Sequence, residues 1–149
     1  MKFKKPLPHL EKPHAKYFIT FVTWERLELT PAARQVVLEC CQYFDNQRYK
    51  LYAVVIMPDH VHLLIEPLLK DETEFWAIGS ILHSIKSYSA KQIPNVMLHI
   101  GKVWQDGSYD EMMRNEQEFM NKWEYILQNP VKAGLSNTPD EYPFLWDRF

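Results

Sequence analysis

The chain lacks the basic excess that marks many nucleic-acid-binding proteins: 17 Lys and Arg face 19 Asp and Glu, a net charge of −2 at pH 7. Bulk attraction to phosphate is therefore no basis for a function, although a local cluster remains open. One local excess exists, in Lys2, Lys4, Lys5, Lys12 and Lys16 against Glu11, and it reads equally as a solvated tail or as an arm for phosphates. Cysteine is also scarce. Cys40 and Cys41 are the two, adjacent within a helical pattern, and neighbours of that kind rarely bridge, so both are expected as reduced core residues. No apolar run approaches the roughly 18 residues of a membrane span, and the basic start has no apolar signal core, which gives an expectation of a cytoplasmic protein without membrane contact. Repeats, low-complexity stretches and long linkers are missing too, so residues 1–149 are expected to form one domain. The 46% hydrophobic and 24% charged content is that of an ordinary globule.

What is present is a sequence of short, well-punctuated elements. Residues 17–25 are β-branched and aromatic and read as a buried strand. Thr30-Pro31 supplies an N-cap and a first-turn proline for a helix with Val36, Cys40 and Phe44 at four-residue steps, running to about Gln47. Tyr49 to Met57 and His60 to Glu66 form two strands about a Pro58-Asp59 turn. Asp71 and Glu74 resemble a capping box for a second helix with the seam Phe75, Ile78, Leu82 and Ile85. Tyr109 to Met113 reads as a short edge strand. Asn115 with Glu118 opens a third helix that Asn129-Pro130 should stop. Strand, helix, two strands, helix, strand, helix predicts an α+β fold, with helices on a mostly antiparallel sheet of ferredoxin-like character.

Two groups of residues could carry chemistry. His60 and His62 alternate with Val61 and Leu63, so the two imidazoles share one face of a strand and can converge on one metal ion. The other reading is two histidines at a solvent-facing edge or hydrogen-bonded in the core. In the third helix, Phe119, Met120, Trp123, Ile126 and Leu127 define an apolar stripe, which leaves Tyr125 about 160° from its centre, beside Asn121, Gln128 and Asn129. Tyr125 and Asn129 are four residues apart and face the same way. A phenol and an amide oxygen presented together suit metal-assisted attack on phosphorus. With two imidazoles, the amide would make an open, mixed site that favours Mg²⁺ or Mn²⁺ over a closed zinc centre. Alternatively, Asn129 simply suits a helix end before proline.

With these residues in view, the sequence resembles the single-tyrosine transposases of the HUH superfamily, in particular the REP-associated tyrosine transposase branch. The resemblance rests on Tyr17-Phe-Ile-Thr-Phe-Val-Thr23, Val55-Ile-Met-Pro-Asp-His-Val-His-Leu-Leu64, Val103-Trp-Gln-Asp-Gly-Ser-Tyr-Asp110 and Tyr125-Ile-Leu-Gln-Asn-Pro-Val-Lys-Ala-Gly-Leu135, in the family's order. It implies a ferredoxin-like HUH domain in which His60, His62 and Asn129 bind a divalent cation and Tyr125 attacks single-stranded DNA. The implied activity is that of an endonuclease and strand transferase with a 5′-phosphotyrosine intermediate, acting on strands that can include hairpins, as a monomer or a homodimer. A non-catalytic nucleic-acid-binding module derived from such an enzyme is the alternative. Lys86 and Lys91 are candidates for phosphate contact or for a solvated helix face. Trp104 and Tyr109 are candidates for stacking on unpaired bases or for the core. Asp59 reads as a turn residue, while Asp110 and Arg114 match the family's pattern without a physical role of their own.

Overall fold

The computed structural model describes residues 14–149; the basic segment over residues 1–13 lies outside the described residues. Five strands form one sheet in the order β4-β1-β3-β2-β5, with every neighbouring pair antiparallel: β1 (Tyr17–Val22), β2 (Tyr49–Ile56), β3 (His60–Pro67), β4 (Tyr109–Met112) and β5 (Leu145–Asp147). Helices α1 (Pro31–Tyr43) and α2 (Ile78–Gln92) cover one face, and α3 (Glu116–Lys132) packs on β2 and β3 from the other. This is the expected ferredoxin-like α+β sandwich. Strands β2 and β3, covered on both faces, are almost wholly buried and mostly apolar, with His60 and His62 at the start of β3 among the exceptions.

Local chemistry explains most boundaries. The Thr30 hydroxyl accepts a hydrogen bond from the Ala33 amide at 3.2 Å and Pro31 opens α1. The buried seam of α1 is Ala33, Val37 and Cys41, with Leu38 and Cys40 beside it; Val36 is only half-buried, and Phe44 plugs the core just past the helix end. Cys40 and Cys41 are free and buried, and burial pushes the Cys40 thiol up to about 11. The β2–β3 turn at Pro58-Asp59 closes with the Met57 amide donating to the His60 carbonyl at 2.8 Å.

The expected bounds of four elements need correction, and one strand is unexpected; α1 ends at Tyr43, short of Gln47. Strand β1 stops at Val22, because Trp24–Arg26 forms a tight 3-10 turn in which Glu25 and Arg26 take left-handed φ values of 50° and 56°. Helix α2 starts at Ile78, since Asp71 Oδ1 accepts the Thr73 and Glu74 amides, both at 2.9 Å, and closes a loop pinned by the Leu69–Phe75 bridge. Its buried seam is Ile78, Ile81, Leu82 and Ile85, without Phe75. Pro130 does not stop α3: the helix runs on to Lys132 and ends where Gly134, at φ 76°, donates to the Val131 carbonyl while the Leu135 amide donates to Pro130. Finally, the chain end contributes β5 along the outer side of β2. Arg148 holds it there, donating to the Leu51 carbonyl at 2.8 Å and pairing with Asp45.

Candidate active site

Strand register places the two histidines. Thr20 lies opposite His62, and Val22 opposite His60, across the β1–β3 pair. Alternation turns Phe18, Thr20, His60 and His62 to the face that α3 covers, whereas Phe21 turns to the α2 side and packs on Trp104. The His60 and His62 ring centroids lie 4.9 Å apart, and the His62 ring stacks on Phe18 at 5.3 Å. Each ring is held at Nδ1. His60 Nδ1–H donates to Asp59 Oδ1 at 2.7 Å, and His62 Nδ1 shares a 2.7 Å hydrogen bond with the Thr20 hydroxyl. Carboxylate or hydroxyl partners of this kind fix which way a ligating imidazole points.

Helix α3 brings the tyrosine to the same place. Its buried seam is Ile126 and Pro130, flanked by half-buried Phe119 and Trp123, while Met120 turns to solvent. Tyr125 is therefore not opposite the sheet. It sits on one flank of the seam with half-buried Lys122 and Asn129, and its ring meets His62 at 5.3 Å and Phe18 at 5.9 Å. Tyr125 keeps 41% of its surface exposed, so a substrate can approach the phenol from outside. The Lys122 ammonium lies 4.6 Å from the Phe18 ring centre and 5.8 Å from that of Tyr125, with Glu111 at 3.5 Å.

Whether these residues suit a cation is tested by the groups left over. His62 Nε2 and Asn129 Oδ1 are buried and have no hydrogen-bond partner among the described residues. A buried polar atom without a partner costs about 1–3 kcal/mol, and a cation would satisfy both kinds of donor. Burial, with the neighbouring His60 and the Lys122 charge, lowers His62 to about 3, so its imidazole is neutral at pH 7. In the tautomer that donates Nδ1–H to Thr20, the Nε2 lone pair is free to ligate. Among the described residues no three His, Cys, Asp or Glu side chains are arranged to hold a metal ion by themselves, so a carboxylate-rich or thiolate cage is not what this site offers. Two imidazoles and one amide oxygen would leave room for water or phosphate oxygens, a donor set able to hold a divalent cation with open positions.

Other candidates fall elsewhere. Trp104 is buried against Phe21 and its Nε1–H donates to Ser89 at 2.9 Å, which corrects the expectation of a base-stacking surface: its ring belongs to the core. Lys86 is also accounted for, donating to the Gln105 and Gly107 carbonyls at 3.0 and 2.8 Å, so its charge secures the loop before β4. Lys91 is exposed in the last turn of α2, and half-buried Tyr109 donates to Glu111 at the sheet edge. Asp110 accepts from Ser108 at 2.6 Å, while Arg114 pairs with Glu118 at 2.6 Å beyond the cleft. Sequence reasoning missed Thr20 and Phe18, which seat His62, and Lys122. For Thr20 the usable signal was strand alternation, which puts it on the face of Phe18; register with His62 needed the structure.

Comparison with known proteins decides the family. Residues 12–129 match the family described as "Transposase IS200 like". The chain belongs to that family. A Haemophilus influenzae protein assigned to the REP-associated tyrosine transposases is 25% identical over an alignment of 139 positions that covers 86% of this chain and 77% of the relative. Among solved structures, a REP-associated tyrosine transposase bound to a REP hairpin superposes with a TM-score of 0.75 at 20% identity, covering 97% of this chain and 82% of the other. A Deinococcus radiodurans protein assigned as a transposase gives a TM-score of 0.55 at 20% identity, covering 83% of this chain and 95% of that one. The structural likenesses, at 20% identity, speak to the fold, which this chain shares. Among the described residues no helix is long and apolar enough to cross a membrane.

Proposed function

We propose that this chain is a metal-dependent endonuclease and strand transferase for single-stranded DNA, with Tyr125 as nucleophile. The observation that carries the reading is the meeting, within one chain, of the Tyr125 ring with His62 at 5.3 Å, beside two buried donors that lack partners. In the first step the Tyr125 phenol oxygen bonds to the scissile phosphorus as the bond from phosphorus to the 3′-oxygen breaks. The phenolic proton is lost to solvent and the departing strand leaves as a 3′-hydroxyl. In the second step a 3′-hydroxyl attacks the 5′-phosphotyrosine and restores the phenol. One phosphodiester is exchanged for another, so no nucleotide cofactor is required.

His60, His62 and Asn129 would hold the cation, which when bound supplies Lewis-acid stabilisation of the phosphate's non-bridging oxygens. The rest is positioning by the chain itself. Asp59 and Thr20 fix the two imidazoles, Phe18 packs under His62, and the α3 backbone sets Tyr125 one turn from Asn129. Lys122 supplies positive charge beside the phenol where an anionic strand must lie. That the solved relative is bound to a REP hairpin supports structured single-stranded DNA as the substrate class. Incubation with labelled single-stranded oligonucleotides and Mn²⁺ should yield an adduct that survives denaturation, and Tyr125→Phe should abolish it. An adduct that persists in Tyr125→Phe refutes the assignment.

A further inference from the structure

The loss of Trp104 from the candidate surface leaves a different tryptophan open. Trp24 stands just beyond the end of β1, two residues past Val22, the register partner of His60, and keeps 40% of its surface exposed. Its surroundings are built firmly. Thr23 is fully buried and donates to the Asp59 carbonyl through both its amide (3.0 Å) and its hydroxyl (3.2 Å), while the Trp24 amide donates to Val103 at 2.8 Å. The next two residues, Glu25 and Arg26, both take left-handed conformations that non-glycine residues rarely adopt, at φ 50° and 56°. A large apolar ring is thus displayed on a strained, doubly anchored turn tied to the same hairpin that carries His60 and His62.

Charge around the ring suits a strand of nucleic acid. The Lys102 ammonium lies 4.5 Å from the Trp24 ring centre, and Arg26, with a 65% exposed side chain, reaches Asp59 at 3.4 Å. Asp106, paired with Lys102 at 3.2 Å, is almost fully exposed, whereas Asp59, the partner of Arg26, is about two-thirds covered and also holds His60 at 2.7 Å. An exposed pair such as Lys102–Asp106 contributes little, so a phosphate can compete for Lys102, and the 65% exposed Arg26 side chain keeps donors free for a second one. An exposed indole with a lysine at its ring and an exposed arginine two residues on has the composition of a stacking platform for an unpaired base.

We propose that the Trp24–Arg26 turn and Lys102 seat an unpaired nucleotide next to the scissile phosphate, its base on the Trp24 indole and its flanking phosphates on Arg26 and Lys102. The inference rests on the single-stranded DNA reading above and adds a binding residue that the metal and tyrosine chemistry does not require. The experiment is equilibrium binding, in chelator so that no cleavage occurs, of a fluorescein-labelled oligothymidine and of the matching strand made of abasic sugar-phosphate. Trp24→Ala should weaken oligothymidine binding by about 5- to 150-fold, the equivalent of about 1–3 kcal/mol per stacked base. Binding of the abasic strand should be unchanged, and Trp24→Phe should recover part of the loss. Lys102→Met should instead weaken both strands and flatten their salt dependence. Equal oligothymidine affinity in wild type and Trp24→Ala, with the wild type binding well, overturns the proposal while leaving the proposed function intact. Failure of the wild type to bind either strand removes that function and this seat together.

Discussion

The buried His62 ring makes a quantitative demand on acid stability. Its Nδ1 is taken by Thr20, its faces by Phe18 and Tyr125, and its neighbours His60 and Lys122 both oppose a second positive charge. Burial is the largest of these effects, and together they lower His62 from 6.5 to about 3. The sign follows directly. Below pH 6.5 the unfolded chain binds a proton that the folded chain refuses, so metal-free protein loses stability as pH falls from about 6.5 towards 3, at up to about 1.4 kcal/mol per pH unit. The ceiling is about 5 kcal/mol, and at pH 5 the loss from this group is about 2 kcal/mol. Urea unfolding in chelator at pH 7.5 and pH 5, on wild type and His62→Gln, isolates it. Glutamine keeps a polar partner for Thr20 but cannot titrate. The wild type should lose about 2 kcal/mol more than the variant between the two pH values. Parallel pH dependence in the two proteins would refute the claim that His62 is held neutral by its surroundings.

Two further substitutions probe the supports. Asp59→Ala removes the acceptor that orients His60 and should weaken Mn²⁺ binding by about 10- to 100-fold while leaving the fold intact; calorimetric titration with Mn²⁺ checks this, and unchanged affinity would deny Asp59 its positioning role. Lys86→Met removes two hydrogen bonds to the Gln105 and Gly107 carbonyls. It should lower stability by about 1 kcal/mol in urea unfolding without altering the salt dependence of DNA binding; a fall of about one in the salt slope would return Lys86 to the phosphate contacts.

Much of this architecture could be read from residue pattern because local chemistry decided it. The Thr30-Pro31 cap, the Pro58-Asp59 turn and the Asn115 cap each act within a few residues, and each element they bound is present. The failures share a cause in tertiary contact. Pro130 would end an isolated helix, but here it is buried and the helix continues to a glycine. Asp71 has the chemistry of a helix cap, yet the pairing of Leu69 with Phe75 makes its turn part of a loop. The tail became a strand only because β2 had an unpaired edge to fill. At the site, the pair spacing of His60 and His62 and the four-residue step from Tyr125 to Asn129 were visible. That Tyr125 rests on His62 was not, since Met120 turning to solvent rotates the buried stripe towards it. Trp24 and Trp104 show the limit most plainly: both are tryptophans near the end of β1, and only packing decides that one enters the core and the other faces water.

The central claim is that one chain assembles the whole site, nucleophile and cation donors together. Mixing Tyr125→Phe protein with His60→Ala/His62→Ala protein tests it, with single-stranded DNA and Mn²⁺ present and wild type alongside. Neither variant carries a complete site within its own chain, so the mixture should form no covalent adduct where wild type does. Recovery of the adduct in the mixture would show a tyrosine working on a neighbour's cation and would contradict the account.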